Sequence, residues 1–326
     1  MRTSVDRIWK MPGSVLESPM LMLATGHSCS STGVMRGRQL ADTTAQQPGT
    51  HVSPSAELWR GQTPALSVIV PTRDEVGNIR PLLAGLEEAL AGIDAEVLIV
   101  DDSDDATPEI ARQAAALSAV PVRVHARPPG QRSGGLGGAV LAGLSNAAGP
   151  VCVVMDADLQ HPPELLKTLW QASGSGAGFV VASRYLDGGT AEGLSGRFRR
   201  AVSTLTTSIA KWVLRPELAG ISDPLSGFFL VRRSCLDLSA LHPRGFKLLL
   251  ELLVHSPQAS VAEVPYIFGA RHSGVSKASI KEGLTYLRRL TELRAQARRG
   301  PRRSRALARK SIPVHEVPVS VDERHR

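Results

Sequence analysis

Two aspartates spaced by one residue close an apolar run in Val151-Cys-Val-Val-Met-Asp-Ala-Asp-Leu-Gln-His161. The apolar run is too short for a helix and reads as a buried parallel strand. Asp156 and Asp158 then fall at its C-terminal end, where open α/β sheets bind their ligands. Carboxylates at i and i+2 can face one side and hold a hard divalent ion against a phosphate. A solvated strand end followed by a helix cap would present the same residues, so the rest of the chain must decide between the two.

Other chemistry-bearing residues also sit at strand ends. Ala65-Leu-Ser-Val-Ile-Val-Pro71 reads as a strand and runs into Thr72-Arg-Asp-Glu75, which offers Arg73 and Glu75. Glu96-Val-Leu-Ile-Val100 ends in Asp101-Asp-Ser-Asp-Asp105. Carboxylates this dense repel one another unless a cation or a donor is near. Asp101 and Asp102 come straight off the strand and are the better site candidates. Arg127-Pro-Pro-Gly-Gln-Arg-Ser-Gly-Gly-Leu-Gly-Gly138 is neither a P-loop nor a dinucleotide fingerprint; it reads as a glycine loop, either mobile beside a phosphate or plain. Phe179-Val-Val-Ala-Ser-Arg184 brings a guanidinium to another strand end, and Asp223-Pro-Leu-Ser-Gly joins an acid to a turn. Phe268 to Lys277 is a polar, basic loop able to close over an anion.

The elements that must position these residues follow from periodicity. Ile79, Leu82, Leu83, Leu86 and Leu90 line one helical face after Asn78, and Ala106 to Leu117 reads as a second helix. Further helices are expected from Ala139, Pro162, Val202, Gly245 and Ile280, with strands at 121–124 and 261–265. Strands alternating with helices argue a single α/β sheet with right-handed crossovers. Residues 1–62 mix Ser, Thr, Gly and Pro without a sustained period and read as a loosely ordered extension. Residues 63–290 form the expected domain, and 291–326 a basic, flexible tail.

Composition narrows the function classes. The 326 residues are 42% hydrophobic and 21% charged, which suits a globular core. A formal net charge of +8 suggests anionic partners, while 4% aromatics weakens a base-stacking platform, so no nucleic acid is expected. Cys29, Cys152 and Cys235 show no metal or disulfide spacing, which fits a reducing cytoplasm. No stretch is long enough to span a bilayer, and Met20-Leu-Met-Leu-Ala24 is not a convincing signal peptide. The helix from Val202 to Leu214 is amphipathic, and Trp212 suits either core packing or a membrane interface.

From about Leu66 to Leu290 the chain resembles the family-2 inverting glycosyltransferases of the GT-A class, nearest their polyprenol- or dolichol-phosphate mannosyltransferase branch. The resemblance is carried in order by Val70-Pro-Thr-Arg-Asp-Glu75, Val100-Asp-Asp-Ser-Asp-Asp105, the glycine loop into Gly143 and Met155-Asp-Ala-Asp-Leu-Gln160. Ala182-Ser-Arg-Tyr185, Asp223 to Phe229 and Arg271 to Lys277 complete it. It implies a Rossmann-like central mixed sheet flanked by helices. It also implies transfer of mannose from GDP-mannose to a polyprenyl phosphate, with Mg²⁺ or Mn²⁺. By resemblance Pro71, Arg73, Glu75, Asp101 and Asp102 border the donor base and ribose. Asp156 and Asp158, with Gln160, hold the metal, and Ala157 lies with them at the diphosphate. Arg184 and Arg200 hold the acceptor phosphate, Arg271, Ser276 and Lys277 close over the donor, and Asp223 supports the acceptor side.

The chemistry is coherent. A divalent ion neutralises the charge developing on a diphosphate leaving group. A phosphate monoester is already an anionic nucleophile; a sugar hydroxyl acceptor would instead need a carboxylate such as Asp223 as general base. The chain departs from the family at Asp74, usually Asn, and at Arg73, usually aromatic. Its second acidic motif is one residue short and its glycine segment longer. The C-terminal membrane helices of many relatives are absent from its pattern, so peripheral action at the cytoplasmic membrane face, or a separate membrane-protein partner, is expected. Another donor such as UDP-glucose, and a non-catalytic basic module for membrane or RNA, are the competing readings.

Overall fold

The computed structural model describes residues 50–52, 63–191, 197–241, 247–270, 272, 280–299 and 311–312, with backbone alone for 50–52, 197–200, 280–285, 299 and 311–312. Strands β1 (Thr50–Val52), β2 (Leu66–Thr72), β3 (Ala95–Asp101), β4 (Val122–Ala126) and β5 (Val151–Val154) are followed by β6 (Phe179–Ser183), β7 (Phe229–Arg232), β8 (Val261–Pro265) and β9 (Ser311–Ile312). The helices are α1 (Ile79–Ala89), α2 (Thr107–Leu117), α3 (Gly135–Asn146), α4 (Leu165–Ser173), α5 (Arg197–Val213), α6 (Leu248–His255) and α7 (Ile280–Arg299). One sheet takes all the described strands in the order β1-β4-β3-β2-β5-β7-β6-β8-β9.

The sheet is mixed because β7 runs against both β5 and β6, and β1 against β4. The remaining pairs are parallel, so β2, β3, β4, β5, β6 and β8 all end at one edge. Register aligns those ends closely: Thr72 opposes Asp101, and Asp101 opposes Ala126. The turn that leads into β7, Asp223 to Phe228, reaches the same edge because β7 starts there.

Side chains alternate between the two faces, as a doubly covered sheet requires. Val68, Val70, Val97, Ile99 and Val153 pack with α1, α2 and α4. Ile69, Leu98, Val100, Cys152 and Val154 pack with α3, α6 and α7. At the far edge Glu96 accepts from Ser67 at 2.6 Å, from Ala148 N–H at 2.7 Å and from Arg123 at 2.8 Å. That buried acid ties strands together well away from the aspartate pair.

The glycine stretch differs from the loop expected there. From Gly135 it is already helix α3. Two of its glycines serve close approach: a Cβ on Gly138 would lie 2.0 Å from Ser133 O, and one on Gly143 2.3 Å from Ile69 Cγ2. Two short strands also fall in stretches without a strand pattern, β1 within residues 1–62 and β9 within 291–326. Helix α7 also continues to Arg299, past the domain end expected at residue 290; the rest of those two segments lies outside the described residues.

Candidate active site

The ends of β2, β3 and β4 are stitched into one wall. Asp74 sits at φ +57°, a conformation that side chains rarely adopt, and donates its N–H to Ser103 Oγ at 2.8 Å. Glu75 donates N–H to Thr107 Oγ1 at 2.8 Å and accepts from Asn78 Nδ2 at 2.5 Å. Pro71 is buried beneath them, while Arg73 is exposed.

Each carboxylate of the acidic run has its own donor, which removes the repulsion that spacing alone implies. Asp101 accepts from Thr72 Oγ1 at 2.6 Å and Ser103 Oγ at 2.7 Å. Asp102 forms a buried two-pronged pair with Arg127, Nε to Oδ1 at 2.7 Å and Nη2 to Oδ2. Arg132 binds Asp104 at 2.5 Å, and Asp105 takes both the N–H and the hydroxyl of Thr107. Arg127 also donates to Gly135 O at 3.2 Å, so the glycine segment is clamped onto the acidic strand end.

Beyond β5, Asp156 is 40% exposed and its N–H meets Nδ1 of His161 at 2.9 Å. Asp158 is 5% exposed; its Oδ1 accepts from Gln160 N–H at 3.1 Å and its carbonyl from His272 N–H at 3.2 Å. Leu159 between them takes φ +61°. Gln160 faces the segment after β8: its Nε2 donates to Gly269 O at 3.0 Å, and Gly269 N–H returns a bond to Gln160 O at 2.9 Å. The amide of Gln160 therefore holds that segment against the Asp-Ala-Asp loop. Ala157 is buried in the apolar cluster.

At the end of β6, Arg184 is gripped by Asp223 through Nε at 2.7 Å and Nη2 at 2.9 Å. Asp223 is 0% exposed and Arg184 9%. Burial opposes the guanidinium charge, but the bonds and charge of Asp223 outweigh it and raise its pKa above the ordinary arginine value. Glu263 on β8 sets Asp223 in place by accepting from the N–H groups of Ser222 and Asp223 at 2.8 and 3.1 Å. Burial pushes the Glu263 carboxyl up. The guanidinium also lies 5.5 Å from the Tyr185 ring centroid and 5.7 Å from that of Phe268.

The two sides meet at His161. Its ring stacks on Phe228 with centroids 5.1 Å apart, and Phe268 meets it edge-on at 5.7 Å. Burial lowers its pKa to about 4, so it is neutral at pH 7. Arg184 touches Phe268, Phe268 touches His161 and His161 bonds Asp156, so the aspartate loop and the buried arginine share one aromatic joint.

The structure thus brings together Pro71, Glu75, Asp101, Asp102, Asp156, Asp158, Gln160 and Arg184 along one sheet edge, with Arg73 in the loop above. Arg200 lies on α5 with its side chain outside the described residues, as do Arg271, Ser276 and Lys277 entirely. His161, Arg127 and Glu263 carry geometry that motif reading missed. A signal existed for two of them: His161 ends the aspartate motif, and Arg127 follows β4 directly opposite the acidic run.

Residues 67–236, more than half of the chain, match the model of the family described as "Glycosyl transferase family 2". The chain belongs to this family. A dolichol-phosphate mannosyltransferase of Pyrococcus furiosus is 39% identical over 70% of this chain and 63% of its own length, so the chain spans less than two thirds of that relative. One from Mycosarcoma maydis is 37% identical over 74% of this chain and 83% of its own length. A glucosyl-3-phosphoglycerate synthase of Mycobacterium tuberculosis, solved with Mn²⁺, UDP and phosphoglyceric acid, superposes with TM-score 0.53 at 21% identity, covering 79% of this chain and 86% of its own. That likeness carries the fold, which is GT-A. Family membership decides for a glycosyltransferase over a non-catalytic basic module.

Proposed function

We propose that this chain transfers mannose from GDP-mannose to a polyprenyl phosphate with inversion, assisted by Mg²⁺ or Mn²⁺. The observation that carries the acceptor assignment is the Arg184–Asp223 pair. A carboxylate that is 0% exposed and gives both oxygens to one guanidinium is a counter-ion, poorly placed to deprotonate a hydroxyl. An acceptor that is already anionic needs no such base, and a pre-set arginine suits its phosphate. The mannose and lipid assignments draw on the names of the relatives at 37% and 39% identity.

Asp156 and Asp158 fit a hard divalent ion. The pair supplies carboxylate oxygen rather than a full cage, the kind of partial set that Mg²⁺ or Mn²⁺ completes with phosphate oxygens and water. When bound, the ion neutralises charge on the leaving diphosphate. The protein's own residues do the rest. Pro71, Arg73, Glu75, Asp101 and Asp102 border the nucleoside at the β2–β3 wall, and Ala157, buried between the two aspartates, sets their spacing at the diphosphate. Arg184 and Arg200 align the acceptor phosphate, and Arg271, Ser276 and Lys277 cover the donor.

Lipid access is supported by α5. Val202 is 41%, Leu205 60% and Trp212 73% exposed, and Lys211 beside Trp212 is exposed too. An apolar stripe with a basic flank suits the interface of an anionic membrane. Among the described residues no helix is long and apolar enough to cross a membrane. Cosedimentation with protein-free anionic vesicles would separate this reading from recruitment by a membrane-protein partner.

The test of the donor offers labelled GDP-mannose, GDP-glucose, UDP-glucose and UDP-galactose separately, with polyprenyl phosphate and Mn²⁺ or Mg²⁺. Label reaching lipid from GDP-mannose alone supports the reading, while lipid labelled from a UDP-sugar alone replaces the donor.

A further inference from the structure

The β5 ladder ends at Met155, whose N–H reaches Ile69 O at 3.2 Å. The next N–H, that of Asp156, leaves the sheet and meets Nδ1 of His161 at 2.9 Å. Nδ1 must present its lone pair to accept this bond, so the neutral ring carries its proton on Nε2. The same nitrogen lies 3.8 Å from Asp156 Oδ2.

The ring itself is fixed from several segments. It is 2% exposed, stacked on Phe228, and met edge-on by Tyr266 at 6.0 Å and Phe268 at 5.7 Å. Gly227 closes the remaining side: a Cβ there would lie 3.1 Å from His161 Cε1 and 3.3 Å from Asp156 Oδ2. A phenyl ring could offer the same stacking face to Phe228. What the imidazole adds is an acceptor for the backbone that carries the more exposed aspartate.

We propose that His161 is a positioning residue for the metal centre: it pins the backbone of Asp156 and so aims that carboxylate at the ion shared with Asp158. The proposal rests on the reading of Asp156 and Asp158 as the metal-binding pair. His161 acts here without ligating the ion: its Nδ1 accepts the Asp156 N–H, and the rest of the ring is buried among Phe228, Tyr266 and Phe268. Its part resembles that of the outer partners that orient ligands in other metal sites.

The test follows Mn²⁺ binding to the full chain with GDP present, read from the electron paramagnetic resonance signal of free Mn²⁺. His161→Phe keeps the ring and removes the acceptor, and His161→Asn returns an oxygen near the place of Nδ1. His161→Phe is expected to weaken Mn²⁺ binding roughly 10- to 100-fold, with partial recovery in His161→Asn. GDP binding without metal, by calorimetry, stays as in the wild type. If His161→Phe does not fold, Gly227→Ala presses on the same contact and is expected to weaken the same signal. Wild-type Mn²⁺ affinity in a folded His161→Phe or Gly227→Ala overturns the role of His161, and so does equal loss in the Phe and Asn variants. Failure of the underlying metal reading looks different: the wild type then takes up no Mn²⁺ with GDP, or Asp158→Ala takes it up unchanged.

Discussion

Replacing Asp223 by Asn separates a counter-ion from a general base. Asp223 is 0% exposed and holds Arg184, itself 9% exposed, at 2.7 and 2.9 Å. Asparagine keeps the shape and one acceptor but removes the charge facing the guanidinium. Breaking a buried pair from one side costs about 3–5 kcal/mol, and the retained amide oxygen offsets about 1 kcal/mol. The expected loss is therefore about 2–4 kcal/mol, which at about 2–4 °C per kcal/mol lowers Tm by roughly 4–16 °C. The loosened arginine should raise the KM for polyprenyl phosphate more than it lowers kcat. Calorimetric melting and acceptor saturation at fixed GDP-mannose measure both effects. A general base gives the opposite kinetic pattern, with acceptor KM unchanged and kcat lower by about 10²- to 10⁴-fold. That result would refute the counter-ion assignment and favour a hydroxyl acceptor.

Three further outcomes follow from the geometry. Arg127→Met leaves Asp102 buried without its two-pronged partner and should cost about 3–5 kcal/mol in denaturant unfolding, with weaker GDP binding; unchanged stability would contradict the clamp. Gly143→Ala places a Cβ 2.3 Å from Ile69 Cγ2 and should destabilise by about 1–3 kcal/mol from overpacking, measured by thermal melting. Burial pushes the Cys152 thiol up to about 12, so it should resist alkylation at pH 8 in the native chain and react once unfolded, as site-resolved mass spectrometry would show. The raised value means that the native state keeps this proton longer than the unfolded state does. Its contribution to stability is therefore intact below pH 9, the ordinary thiol value, and falls as pH rises toward 12.

Much of this was legible in the sequence because apolar runs ending in charge mark parallel strands. Val151 to Met155 and Leu66 to Pro71 fixed two neighbouring strands, and the edge where their acids gather followed from chain direction. What escaped were pairings between segments distant in sequence. Nothing in the spacing of Asp102 says that Arg127 will neutralise it, since that depends on β4 lying beside β3. The bond between Gln160 and Gly269 spans 109 residues, and the use of Glu263 to hold Asp223 requires the reversed strand β7 to bring its leading turn beside β8. The glycine segment misled for another reason. Density of glycine signals a loop, but here two glycines, Gly138 and Gly143, are demanded by a helix packed too tightly for side chains.

The most direct test of the central claim compares two acceptors that differ by one group. The full chain is given labelled GDP-mannose and Mn²⁺ with either polyprenyl phosphate or the free polyprenol, and label entering the organic phase is counted. Label should pass to the phosphate, none to the alcohol, and the product should release mannose in mild acid. Equal labelling of the alcohol, or no label in the organic phase with either acceptor, would contradict the account.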